Sequence, residues 1–166
     1  MSASQNPVRG LLLDVLAYRA SESSGFADRP AFTYLDDGET VSRSLTFREL
    51  SEEATKLGGY MRGLTEPGDR VLLAYPPSLD YVIAFYACLY AGLIAVPTVS
   101  PSNARTASRL HAMWADCSPR LALTHRSAIT HVEGVGNGSP TSWIATDDLD
   151  PALLTAEGGR ARIYGH

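Results

Sequence analysis

The segment 81–99 reads YVIAFYACLYAGLIAVPTV and carries no charge over nineteen positions. That much uninterrupted apolar chain either crosses a membrane or sits deep inside a protein. Gly92 and Pro97 break it, and β-branched residues follow Gly92, so the pattern predicts a buried helix followed by a buried strand rather than a membrane span. Within the helical part, 78–91, Asp80 is the only charge, while Leu79, Val82, Ile83, Phe85, Tyr86, Leu89 and Tyr90 cover every side. A helix that is apolar all round belongs in an interior. Each such side chain contributes roughly 1.5–3 kcal/mol when fully buried. A chain of 166 residues fits one domain. It offers one sheet to cover one side of that helix. The other side is expected to need a partner, and the chain is read as incomplete.

The rest of the chain supplies the sheet. Val8, Leu11, Leu12, Val15 and Leu16 fall at helical spacing, with Arg9, Asp14 and Arg19 off the stripe, predicting a short leading helix. After a loop over 21–30, AFTYL and TVSRSL flank Asp36-Asp37-Gly38-Glu39, a hairpin signal. Thr46 and Glu49 form a capping box before a helix with the buried stripe Phe47, Leu50, Ala54, Leu57, Met61 and Leu64. Glu52 and Lys56 make an i,i+4 pair on it, and Pro67-Gly68 stops it. From there strands alternate with helices. Strands are expected at 70–75, 93–97, 120–124 and 142–146, and helices at 78–91, about 104–116 and near 126–133. Ser78 caps the first of these helices and Gly92 ends it. Such alternation implies right-handed crossovers and a parallel sheet. The expected fold is α/β, a three-layer and mostly parallel sheet with helices on both faces, preceded by a helix and a hairpin. The expected organisation is one incomplete subdomain, with a leading helix and loop in 1–29, the α/β region in 30–150 and a tail in 151–166.

Composition narrows the function. An apolar share of 45% and a charged share of 19% give a real core. A net charge of −4 argues against a nucleic-acid surface. Two cysteines, Cys88 and Cys117, suit a reducing compartment rather than a disulfide scaffold. Asp14 breaks the run Leu11–Leu13 and only Arg9 precedes it, so no secretory signal is read and a cytoplasmic location is expected. Thirteen of the fourteen basic residues are arginine; the single lysine is Lys56.

Several constellations invite a sharper reading. Gly134-Val135-Gly136-Asn137-Gly138 resembles a phosphate loop, but it follows a helix and precedes a strand, the reverse of what anion binding needs, and reads as a connector. Asp147, Asp148 and Asp150 lack the ligand number of a cation site and read as a solvated turn whose aspartate caps the next short helix. Arg105 and Arg109, one helical turn apart, could contact an anion, such as a carrier's phosphopantetheine or an acidic helix; the plainer reading is a solvated face. His111, His125 and His131 lack metal-ligand spacing, and no acid is expected to partner them. Cys88 and Cys117 read as inert thiols. No G-x-S-x-G nucleophile elbow occurs.

Three stretches together resemble the start of the adenylate-forming ligase superfamily, and within it the fatty acyl-AMP ligases. They are LTFRELSEEATKLGGYMRG (45–63), PGDRVLLAYPPSLDYVIAFYACLYAGLIAVPTVSP (67–101) and RLHAMWADCSPRLALT (109–124). The resemblance covers about residues 30–150 and implies a partial domain of that fold. It implies ATP- and Mg²⁺-dependent activation of a fatty acid to an acyl-adenylate, then transfer to coenzyme A or a carrier protein. The lysine-bearing phosphate loop, the adenine motif, the magnesium-handling acid and the C-terminal lysine of such enzymes match nothing here. No catalytic, cofactor-binding or metal-binding residue is therefore assigned, and the chain alone is expected to be silent, a scaffold bordering the acyl-binding region. Its expected partner is the remainder of the ligase domain or a second copy of itself, with an acyl carrier protein as a further partner. A stand-alone interaction module that dimerises or docks on a ligase or megasynthase is the alternative. An unrelated small α/β enzyme would need convergent polar groups at the strand carboxyl ends, and none is legible.

Overall fold

The computed structural model describes residues 11–100, 104–132, 135 and 142–154. The chain divides into two compact units, Met1–Glu53 and Ala54–His166. Helix α2 (Phe47–Arg62) runs through the boundary.

The first unit begins with α1 (Leu12–Ala20), where the Asp14 carboxylate accepts the Leu11 N–H at 3.0 Å. The expected stripe is only partly inward: Leu16 is buried, whereas Leu11 is 80% exposed and Leu12 is also exposed. Leu11 occupies the extended cap position (φ −61°, ψ 161°), off the helical face, and Val8 lies outside the described residues. Strands β1 (Pro30–Leu35) and β2 (Val41–Thr46) pair antiparallel, with Thr33 opposite Ser44. At their turn Gly38 takes φ 84°, and the Asp37 carboxylate accepts the Glu39 and Thr40 N–H groups, which hold its pKa down at about 2. The capping box forms as expected: Thr46 N–H donates to Glu49 Oε2 at 2.8 Å, and Glu49 N–H donates to Thr46 Oγ1 at 3.1 Å. Two oxygens thereby satisfy donors that the helix end would leave orphaned.

In the second unit the sheet order is β4-β3-β5-β6, all parallel, from β3 (Arg70–Leu73), β4 (Ile94–Pro97), β5 (Leu121–Thr124) and β6 (Ser142–Ala145). Residues alternate between faces. Leu72, Ala74, Ala122 and Trp143 point to one face and meet Leu110 and Trp114 of α4 (Ala104–Cys117). Trp114 and Trp143 stack with centroids 5.3 Å apart. Helix α3 (Leu79–Ala91) packs against β3 and β4. Ser78 caps it through the Tyr81 N–H, and Gly92 ends it at φ 73°. The short helix expected near 126–133 forms as a 3₁₀ segment, Arg126–His131.

The apolar helix α3 has a second wall. Leu79, Ile83, Ala84, Ala87, Cys88 and Ala91 are buried, and Tyr81, Val82, Phe85, Tyr86, Leu89 and Tyr90 are half-buried. That wall is the part of α2 within the second unit. A Cβ on Gly58 would lie 2.9 Å from the Ala87 carbonyl oxygen, so the two backbones nearly touch, and Arg62 donates to the Tyr90 carbonyl. The expectation that this chain offers α3 only a sheet is thus corrected: the small residue at 58 lets a neighbouring helix lie against it at Ala87 and Tyr90 as well. Among the described residues no helix is long and apolar enough to cross a membrane.

Candidate functional site

In a parallel sheet whose crossovers turn in opposite directions, a crevice opens at the carboxyl ends of the strands where the order reverses. Here β3 continues outward to β4, while the next crossover, α4, returns past β3 to β5. The chain leaving β3 is Ala74-Tyr75-Pro76-Pro77, that leaving β5 begins at His125, and that leaving β6 begins at Thr146.

These exits carry a polar layer. Thr124 is fully buried and its hydroxyl donates to the Ala74 carbonyl at 2.8 Å. The Tyr75 and Thr146 hydroxyls share a 2.8 Å hydrogen bond. His125 Nε2 and Asp80 Oδ2 are 2.9 Å apart, and the His125 ring meets Tyr75 edge-to-face at 5.2 Å. Burial raises the Tyr75 hydroxyl's pKa, so it stays protonated. The layer has a positional consequence: Tyr75 is held by Thr146 at its hydroxyl and by His125 at its ring, and His125 is held by Asp80 at the first turn of α3.

Beyond Tyr75 a cavity of about 810 Å³ opens between the ends of β3 and β4 and helix α4. Tyr75, Pro76 and Pro77 line one side, with Tyr81 from α3; Pro97–Ser100 and then Arg109 and Met113 of α4 complete it. Thr98 donates its hydroxyl to Met113 Sδ at 3.1 Å, which removes that donor from the cavity. Arg109 is the one charged residue of the lining and makes no ion pair among the described residues. Volume and lining match a small-molecule site, concave, mostly apolar and with few polar groups.

The residues singled out from sequence are scattered by comparison. Arg105 and Arg109 are both exposed on α4, and only Arg109 reaches the cavity. The expectation that no acid partners the histidines is corrected for His125: Asp80 is 45 residues away in sequence and in direct contact. His125 directly follows β5 and Asp80 opens α3, the helix that follows the neighbouring strand β3, a proximity that strand order reveals and spacing does not. His111 Nδ1 meets the Ala107 carbonyl, and His131 is exposed. Asp147 accepts the Arg126 N–H, Asp148 pairs with the Arg126 guanidinium at 2.8 Å, and Asp150 caps the turn at Ala152, so these acids are engaged by the protein itself. Burial pushes the Cys88 thiol up to about 12 and raises Cys117 as well. Of the glycine run, only Val135 lies within the described residues. Lys56 is exposed on α2. The described residues do not form a phosphate cradle or a magnesium cage, and no step through ATP or Mg²⁺ is assigned to them.

Comparison with known proteins places this architecture. The family model for AMP-binding enzymes matches residues 20–162. FadD32 of Mycolicibacterium smegmatis, a long-chain-fatty-acid–AMP ligase, is 31% identical over 160 residues, covering 82% of this chain and 25% of its own. JamA of Moorena producens, a medium-chain-fatty-acid–[acyl-carrier-protein] ligase, is 31% identical over 155 residues, covering 89% and 26%. A fatty acyl-adenylate ligase from L. pneumophila, solved with acyl adenylate and pyrophosphate, shares the fold with a TM-score of 0.77 at 23% identity, over 96% of this chain and 27% of that one. The chain belongs to the AMP-binding enzyme family, as an N-terminal part of the adenylate-forming ligase fold. It spans about a quarter of the length of the curated relatives it matches.

Proposed function

We propose that this chain is the N-terminal segment of a fatty acyl-AMP ligase-like enzyme, which activates a fatty acid with ATP and passes the acyl group to a carrier protein or coenzyme A. The observation that carries this reading is the similarity to fatty-acid–AMP ligases, which for FadD32 takes in 82% of this chain yet only 25% of that ligase. The segment's contribution is structural. It builds a parallel sheet with α3 and α4 packed on it, and its carboxyl ends present a wall to the rest of the ligase domain, bordering the acyl-binding region. By itself it is catalytically silent, because it spans only about a quarter of the ligases it resembles and its one lysine is the exposed Lys56. Its working location is the cytoplasm.

ATP–pyrophosphate exchange with fatty acids of eight to eighteen carbons tests this. The isolated chain gives no exchange, whereas a hybrid carrying this chain in place of the matching quarter of a JamA-type ligase does. Exchange by the isolated chain, or a folded hybrid that stays inactive, overturns the reading.

A second reading, a stand-alone interaction module, is favoured by the exposed apolar side chains of the first unit, Leu11, Phe32, Leu35 and Val41. Exposed apolar side chains, where they gather into one patch, mark contact sites. Sedimentation decides: a stable dimer supports the module, and a well-behaved monomer removes it.

A further inference from the structure

We propose that two copies of this chain pair about a two-fold axis along the hairpin β1–β2, each resting its acidic tip on an arginine-flanked phenylalanine at the base of the other. The proposal rests on the second reading, self-association, to which it adds the surface, and it is independent of the ligase reading.

The base is the loop that leads into β1. Phe26 is 37% exposed, and two guanidiniums lie against its ring, Arg19 at 5.7 Å and Arg29 at 5.0 Å from the centroid. Arg19 also lies over Phe47 at 5.1 Å. The loop is pinned to the start of α2, because the Phe47 and Arg48 N–H groups donate to the Arg29 and Ala27 carbonyls. A stacked guanidinium turns its face to the ring and keeps its in-plane N–H donors for a carboxylate. Among the described residues neither Arg19 nor Arg29 has an acid partner, whereas Arg43 and Arg48 are paired with Glu53 and Asp28.

The tip is Asp36-Asp37-Gly38-Glu39, flanked by the exposed Leu35 and Val41. Asp37 is spent on the Glu39 and Thr40 N–H groups and the Thr40 hydroxyl. The Asp36 and Glu39 carboxylates are exposed and have no partner among the described residues. A strand of six residues spans about 20 Å, so tip and base stand at opposite ends of one hairpin. A two-fold axis halfway along it brings each tip to the other copy's base, an isologous pairing with the same contact made twice. The described sheet of this unit has two strands, so each keeps an unpaired edge, with Phe32 also exposed on β1. An extended polyanion suits the base less well. Residues 11–53 carry nine acids against four bases, and that field repels a nucleic acid or an anionic membrane, whereas a hairpin tip delivers two carboxylates at one point.

Charge reversal tests this. The full chain with Arg19→Glu and Arg29→Glu has acids at both ends of the hairpin, and the full chain with Asp36→Arg and Glu39→Arg has arginines at both. In sedimentation equilibrium the parent is expected to dimerise, at least tenfold more weakly as salt rises from about 0.05 to 0.5 M. Each reversed copy alone is a monomer, folded by circular dichroism, and the equimolar mixture forms a one-to-one dimer. Should a reversed copy not fold, Arg19→Gln with Arg29→Gln takes its place and weakens the parent's dimer at least tenfold. A monomeric parent overturns both the proposal and the second reading. A dimer that persists in the reversed or glutamine copies, or folded reversed copies that stay monomeric when mixed, overturns the proposal alone.

Discussion

Replacing Gly58 by alanine sets two known effects against each other. In an ordinary helix interior the change is stabilising, because glycine is about 1 kcal/mol less favourable than alanine there. At this position the added methyl would sit 2.9 Å from the Ala87 carbonyl oxygen and 3.3 Å from Tyr90 Cβ. The first of these neighbours is backbone of α3 and cannot turn aside, so α2 must slide or tilt. Overpacking of this kind costs about 1–3 kcal/mol. The clash therefore cancels or outweighs the propensity gain, leaving Gly58→Ala between neutral and about 2 kcal/mol destabilised. For a chain of this size each kcal/mol moves the midpoint by roughly 2–4 °C. Gly58→Val adds two further carbons to the same contact with less propensity to recover, and should lie well below the alanine variant. Lys56→Ala, on an exposed position of the same helix, should stay within about 0.5 kcal/mol of the parent. Thermal unfolding followed by far-UV circular dichroism reads all three. A rise of several degrees for Gly58→Ala would show that the two helices are not in close contact, and the reasoning about the second wall of α3 would fail.

Two further outcomes follow from single groups. The Tyr60 hydroxyl is buried without a hydrogen-bond partner among the described residues, and an orphaned buried donor costs about 1–3 kcal/mol. Tyr60→Phe should therefore raise stability by about 1 kcal/mol in urea unfolding, and a loss of stability instead would reveal a partner. The Thr46 N–H and hydroxyl hold the Glu49 carboxyl below its ordinary range. Its contribution is then present above the unfolded pKa of about 4.3 and fades as pH falls through the lower folded value. Between pH 5 and 3 the midpoint of the parent should drop more steeply than that of Glu49→Gln; parallel curves would remove the cap from the account.

Most of the fold was legible because local chemistry and global position agree. Ser78 and Gly92 bracket α3 as a cap and a left-handed terminator, the Asp-Gly turn closes the hairpin, and Thr46 with Glu49 starts α2. The stripe of α2 was read from spacing, yet Tyr60, fully buried, was missed because it sits beside that stripe rather than on it. Gly58 was passed over for a related reason. A glycine inside a helix reads as a weak point, and only the crossing with α3 shows it to be a contact. The site was the least visible part. Tyr75, Asp80, His125 and Thr146 are separated by as many as 71 residues, and what unites them is strand order, which no window of sequence encodes. Arg109 reads from sequence as part of a solvated helix face, because no window of sequence shows the cavity that it lines.

The position of β3 also bears on how the chain is made. It is the first of the four parallel strands to leave the ribosome, yet both of its edges are closed by segments translated later: β4 after one crossover, and β5 only when residue 121 has emerged. Until then its backbone donors and acceptors have no lasting partners, and the valine and leucines at 71–73 have no cover. A nascent chain stalled between 98 and 120 is therefore half-zipped, with one open ribbon edge of the kind that recruits other strands. The most vulnerable interval for this sheet ends with the four residues from Leu121 to Thr124 sliding in beside the oldest strand.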